Sequence, residues 1–236
     1  VVLVDIGGGT TDIAIFQDNI IRHSAVIPFG GDIVTEDVKE GCTIIKKHAE
    51  ELKVKFGSAL ASENRDDEVV AIPGLRGRPP KEITLKNLAS IIQARMEEII
   101  DQVFFEIKNS GFEKKLIAGI VMTGGGSQLK HIDQLAEFTT GMATRIGYPN
   151  EHLAKDVVEE MASPMYATGI GLVIEGIIRF DIAKIREGNL NPDDNSSGND
   201  KAKKRDKRRS KDSDGESGPS RFLQSLKNWF ENDTSE

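Results

Sequence analysis

The 236-residue chain is 38% hydrophobic and 29% charged, with a formal net charge of −7. That composition supports a packed core and argues against nucleic acid as the main partner. The single cysteine, Cys42, excludes an intrachain disulfide and reads as a small core residue; with no apolar run of membrane-spanning length and no signal peptide in view, the expected setting is a reducing cytoplasm.

Residues 1–6 read as a buried strand. Because Val1 lies inside that strand and is not Met, the chain is expected to begin in mid-domain. Thr11, Ile13 and Ile15 alternate as a second strand, Asp18-Asn19 supplies a tight turn, and residues 20–27 return as a third. A helix with Asp32 as N-cap follows, broken near Gly41, and Ile44, Ile45, His48, Ala49 and Leu52 mark the face of another. A loop-rich stretch to Pro80 holds a short strand at residues 69–72. Thr84 opens the longest helix, with Leu88, Ile92, Ile99, Val103 and Ile107 on one face and Asn109-Ser110-Gly111 at its end. Residues 117–122 read as a buried strand ending in a second glycine string, with a helix then running to Gly141. A short strand at residues 144–147 and a last helix from Ser163-Pro164 complete the body. Strands alternating with helices after an initial meander give an α/β class.

The first glycine string is Asp5-Ile6-Gly7-Gly8-Gly9-Thr10-Thr11-Asp12. It lacks the Lys of a Walker A loop, and it opens a strand where a dinucleotide fingerprint opens a helix. What remains is a glycine turn in a hairpin: either a hairpin without ligand, or a turn at which Gly7, Gly8 and Gly9 let backbone N–H groups approach an anion. Thr10 and Thr11 then add hydroxyl donors for a terminal phosphate, and Asp5 calls for a hydrated Mg²⁺, held through water, between itself and that phosphate.

This string resembles the second phosphate motif of the actin superfamily, which includes actin, sugar kinases and heat-shock chaperone ATPases. Val121-Met122-Thr123-Gly124-Gly125-Gly126-Ser127 is similar to that superfamily's adenosine motif. The resemblance implies an actin-like (RNase H-like) fold, ATP with Mg²⁺ as cofactors, and adenosine contacts from Gly124, Gly125, Gly126 and Ser127. Glu50 and Lys53, three residues apart on one helix face, resemble the superfamily's acidic and basic adenosine pair, or form a solvated salt bridge. Ala167, Gly169 and Gly171 resemble its second connecting motif, or serve close helix packing.

Residues 188–220 are polar and charged without apolar periodicity, a disordered linker by composition. Residues 221–231 then place Phe222, Leu223, Leu226, Trp229 and Phe230 on one helical face, with Lys227 beside it. Such a helix either lies flat on a membrane or docks on the body or on a partner; the long tether favours the membrane. Partial burial of these apolar side chains yields about 3–7 kcal/mol before ordering costs, so one anchor is weak and many on one polymer are strong. The eight basic residues within 201–211 either assist at an anionic leaflet or merely solvate a spacer.

Phe29-Gly30-Gly31-Asp32, Ala49-Glu50-Glu51-Leu52-Lys53, the second glycine string and Met165-Tyr166-Ala167-Thr168-Gly169, followed by a linker and an amphipathic tail, resemble the FtsA family of cell-division proteins. The resemblance implies that residues 1–187 are the second lobe of an actin-like ATPase, with a smaller subdomain at about 45–115. It implies an ATP-bound scaffold, at most a weak ATPase, that polymerises at the cytoplasmic face of the membrane and tethers filaments of FtsZ at the division site. FtsZ would contact the region between the helix after Gly31 and Arg145, and later divisome proteins would follow. A phosphotransferase or chaperone of the same fold, or a pilus-assembly adaptor, is the alternative.

Overall fold

β1 (Val2–Ile6) is the centre of the main sheet, paired on both sides, and its alternately buried Val2, Val4 and Ile6 turn one face into the core. The computed structural model describes residues 1–73, 79–150 and 159–186. The loop residues Arg76, Gly77 and Arg78, the polar segment 188–220 and the amphipathic segment 221–231 lie outside the described residues. Interresidue contacts divide the chain after Arg186.

β2 (Thr11–Gln17) and β3 (Ile20–Ile27) continue from β1 as an antiparallel meander. Asp18 and Asn19 join them with φ of 53° and 60°, the left-handed pair that a two-residue hairpin turn requires. After α1 (Gly31–Cys42) and α2 (Lys46–Phe56), β4 (Val69–Ile72) and β5 (Lys81–Thr84) pair as a separate two-stranded sheet. The 25-residue α3 (Leu85–Asn109) follows, its first turn capped by Thr84, whose hydroxyl accepts from the Asn87 N–H. β6 (Ile120–Thr123) and β7 (Thr144–Ile146), separated by α4 (Ile132–Thr140), extend the main sheet in parallel, giving the order β3-β2-β1-β6-β7. α5 (Ala167–Arg186) is the last element.

One apolar cluster joins the inner face of the sheet to the helices. α3 supplies its long side: Leu88, Ile92, Met96, Ile99, Val103 and Ile107 are buried at the spacing of one helical face. Cys42 sits in this core as expected, and burial pushes its thiol up, with only a weaker opposing pull from Lys81.

Three expectations are corrected. Asp32 is not the cap of α1: Gly30 is, and Asp32 falls in the first turn, where its carboxylate suits the positive helix end. Ile117 is 97% exposed and precedes the strand, because Gly119 turns the chain at φ +65° before pairing with β1 and β7 begins at Ile120. Finally, Ser163-Pro164 opens a short 3₁₀ turn ahead of α5, not α5 itself.

Candidate functional site

Parallel pairing of β1 with β6 decides where the two glycine strings go. The register sets Asp5 opposite Thr123. Both strands therefore leave the sheet at the same edge, and the turn at Gly7 to Gly9 emerges beside the turn at Gly124 to Gly126. Carboxyl ends of parallel strands are where α/β sheets place ligands. The backbones are in close contact: a Cβ on Gly124 would fall 2.3 Å from Asp5 Oδ1 and 2.5 Å from the Ile6 carbonyl, and one on Gly126 would fall 2.3 Å from Ile6 Cγ2. Gly124 also needs its φ of +83°. Gly125 differs, since a Cβ there meets nothing within 4 Å.

The first turn is oriented by α1. The Gly31 N–H donates to the Gly7 carbonyl and the Asp32 N–H to the Gly8 carbonyl, each at 2.8 Å. Among the described residues there are no cis peptides, so in each of these units the N–H points opposite to the carbonyl. The Gly8 and Gly9 N–H groups are thus turned away from α1, and among the described residues neither has a protein acceptor. Two bare amides in succession form the kind of nest that receives an anion. Gly30 permits this approach: a Cβ there would lie 2.6 Å from the carbonyls of both Gly7 and Gly8.

The hydroxyls proposed as phosphate donors are otherwise employed. Thr11 is fully buried and donates to the Phe29 carbonyl at 2.8 Å. Thr10 donates to Asp12 at 3.0 Å. In the second turn Ser127 is buried and donates to the Gly124 carbonyl at 2.8 Å. Asp5 Oδ2 accepts from Thr168 at 2.6 Å.

Glu50 and Lys53 face α1. Lys53 Nζ donates to the Gly31 carbonyl at 2.9 Å and to Thr35 Oγ1 at 2.8 Å, and pairs with Glu50 Oε2 at 2.8 Å. Its three protons are spent, and its side chain is only 12% exposed against 47% for Glu50. Lys53 therefore braces the glycine pair and Glu50, while Glu50 Oε1 has no partner among the described residues. Burial pushes the Glu50 carboxyl up, but its bonds to Lys53 and Thr35 together outweigh that and hold it below its ordinary value.

These residues surround one cavity of about 640 Å³. Asp5, Gly7 and Gly8 line one wall, Glu50 and Lys53 another, and Gly124, Gly125 and Gly126 a third. Gly9, Thr10, Thr11 and Ser127 do not line it.

The family model for cell division protein FtsA matches residues 2–171. The chain belongs to the FtsA family. It is 41% identical over 177 residues to the cell division protein FtsA of Pseudomonas aeruginosa, a match covering 75% of this chain and 42% of that one. With the FtsA of Neisseria meningitidis serogroup B the identity is 37% over 174 residues, covering 73% and 42%. The chain thus spans about two fifths of the length of these relatives. Among solved structures, MreB 5 of Spiroplasma citri bound to AMPPNP superposes with a TM-score of 0.61 at 23% identity, covering 80% of this chain and 55% of that one. The fold is actin-like.

In this FtsA family member the cavity shows two features that the sequence concealed. Asp32 lines it together with Gly31; the signal was the glycine pair Gly30-Gly31 at the start of a helix, which marks a close backbone approach. Thr35, one turn further along α1, holds Lys53 and Glu50 together. Three carboxylates (Asp5, Asp32 and Glu50) and one already paired ammonium line the space. A polyphosphate is repelled by that set unless a cation accompanies it. Among the described residues no group of three or more His, Cys, Asp or Glu side chains is placed to hold a metal directly. The carboxylates of Asp5, Asp32 and Glu50 are the groups on this lining that could accept from the waters of such a cation. The volume lies within the roughly 300–1,000 Å³ of small-molecule sites, and the wall is open at Gly125, where a Cβ would meet nothing within 4 Å. Among the described residues no helix is long and apolar enough to cross a membrane.

Proposed function

We propose that this chain is the second lobe, with a smaller subdomain at about 45–115, of an ATP-binding, actin-like protein that anchors FtsZ filaments to the cytoplasmic membrane and helps assemble the Z ring. The observation that carries this reading is the convergence of both glycine turns on one cavity in a chain of the FtsA family. Family membership favours the division scaffold over a phosphotransferase, a chaperone or a pilus adaptor.

ATP supplies a ligand that joins this wall of the site to residues beyond the two fifths of the family length spanned here. Gly8, on the cavity wall, presents its N–H to the phosphates. Asp5 orients the waters of Mg²⁺. Gly125 leaves the adenosine an open backbone, and Glu50 Oε1 accepts from a sugar hydroxyl while Lys53 and Thr35 hold the carboxylate still. ATP then acts chiefly as a structural ligand that favours a polymer-competent state. The polymer collects many weak membrane anchors, each formed by Phe222, Leu223, Leu226, Lys227, Trp229 and Phe230, into a firm one.

The test is co-sedimentation of FtsZ with anionic liposomes, using the full-length protein and its Trp229→Glu variant. FtsZ should pellet with the wild type and ATP, and remain in the supernatant with the variant. Equal pelleting with both would remove the membrane anchor from the proposal. FtsZ left in solution by a wild type that itself pellets would remove the tether.

A further inference from the structure

The segment leading into α5 is fastened to both glycine turns. The Pro164 carbonyl accepts from the Gly124 N–H at 3.1 Å and from Thr123 Oγ1 at 3.2 Å. Ser163 Oγ donates to Gln128 at 3.3 Å. Met165 reaches the cavity wall. Thr168, in the first turn of α5, donates to Asp5 Oδ2 at 2.6 Å across 163 residues of sequence.

Asp5 is thereby gripped from two sides. Oδ2 is held by the Thr168 hydroxyl, and Oδ1 packs so close to Gly124 that a Cβ there would approach it to 2.3 Å. A carboxylate at the end of a strand ordinarily turns about its last torsion among several orientations. Here one oxygen is held by a donor and the other lies against the Gly124 backbone. Nothing else about Thr168 explains its contact: it is exposed, so burial does not require its hydroxyl to find a partner. Neighbouring Gly169 and Gly171 meet nothing within 4 Å, so tight packing of the helix start does not press Thr168 into place.

We infer that Thr168 is a positioning residue that fixes the Asp5 carboxylate for a water-held divalent cation at the phosphate end of the cavity. This inference rests on the nucleotide reading above. Outer partners of direct metal ligands are worth about 10–100-fold in metal affinity, and Thr168, one shell further from a water-held cation, belongs at the low end of that range. A merely structural hydroxyl would change stability and leave the cation dependence of binding unchanged.

The experiment uses the full-length protein and a fluorescent ATP analogue, titrated with Mg²⁺ at fixed nucleotide, with melting followed in parallel in EDTA without nucleotide. Thr168→Val and Thr168→Ala each remove the donor; Thr168→Ser keeps it. Both donor-less variants should need about 10-fold more Mg²⁺ for half-maximal binding, while melting in EDTA stays within about 2 °C of wild type. Thr168→Ser should track the wild type. Wild-type Mg²⁺ dependence in Thr168→Val and Thr168→Ala overturns the positioning role while leaving the nucleotide site intact. So does a shift in Thr168→Ser as large as in the other two. A wild-type protein that binds no nucleotide at any Mg²⁺ concentration overturns the site itself, and the positioning role with it.

Discussion

Gly124 and Gly125 are neighbours with opposite tolerances. An alanine at Gly124 must adopt φ +83° and place its Cβ 2.3 Å from Asp5 Oδ1, so Gly124→Ala should lose about 1–3 kcal/mol, read as a lowered denaturation midpoint. At Gly125 a side chain enters open space at the cavity wall. Gly125→Val should leave stability within about 0.5 kcal/mol of wild type and weaken nucleotide binding by the full-length protein at least tenfold; unchanged affinity would separate the second turn from the site. Glu50 gives a pH signature. Its carboxyl lies below the ordinary value of 4.5 when folded, so the unfolded chain takes up the proton first as pH falls. The stabilisation is complete above 4.5 and is lost as pH drops through the lower folded value. The stability gap between wild type and Glu50→Gln, measured by urea unfolding, should therefore narrow from pH 6 towards pH 4, and by a modest amount because the side chain is 47% exposed.

Among the elements, α3 carries the most buried residues. Ile99 is fully buried at the middle of the α3 stripe, and Ile99→Ala should cost about 2–5 kcal/mol in chemical denaturation. The half-exposed Ile20 on edge strand β3 should tolerate alanine within about 1 kcal/mol. α3 is also tied to α1 through the Arg95 guanidinium, which pairs with Asp37 and Glu98. The bond to Asp37 leads the effects that push Arg95 above its ordinary value. Through this pair and the shared core, the helix that sets the Gly7 and Gly8 carbonyls is anchored to the longest buried surface of the protein.

At the scale of the whole molecule, a ligand that binds only the folded state raises stability in proportion to the logarithm of its excess over Kd. If the cavity takes Mg·ATP, the Tm of the full-length protein should rise with Mg·ATP concentration, by about 2.7 kcal/mol of added stability at a hundredfold excess over Kd. Gly125→Val should abolish that rise and Trp229→Glu should leave it intact. A loss of the nucleotide response in Trp229→Glu would argue that residues 221–231 act on the site and not on a bilayer.

The sequence alone determined what is local. Two glycine strings, the Asp18-Asn19 turn, the Thr84 cap and the apolar stripe of α3 are written in neighbouring residues, because φ preferences and helical periodicity act over a few positions. The pairing of strands far apart in the chain was decided by the fold. The parallel register of β1 on β6 brings Asp5 to Gly124 and leaves Ile117 outside the strand, the seating of α5 brings Thr168 to Asp5, and the packing of α2 on α1 spends the Lys53 protons on Gly31, Thr35 and Glu50, while Thr11 turns to the Phe29 carbonyl. A hydroxyl or an ammonium in a motif announces a donor; which acceptor lies nearest depends on chain segments tens of residues away, and hydrogen bonds reach only about 3 Å.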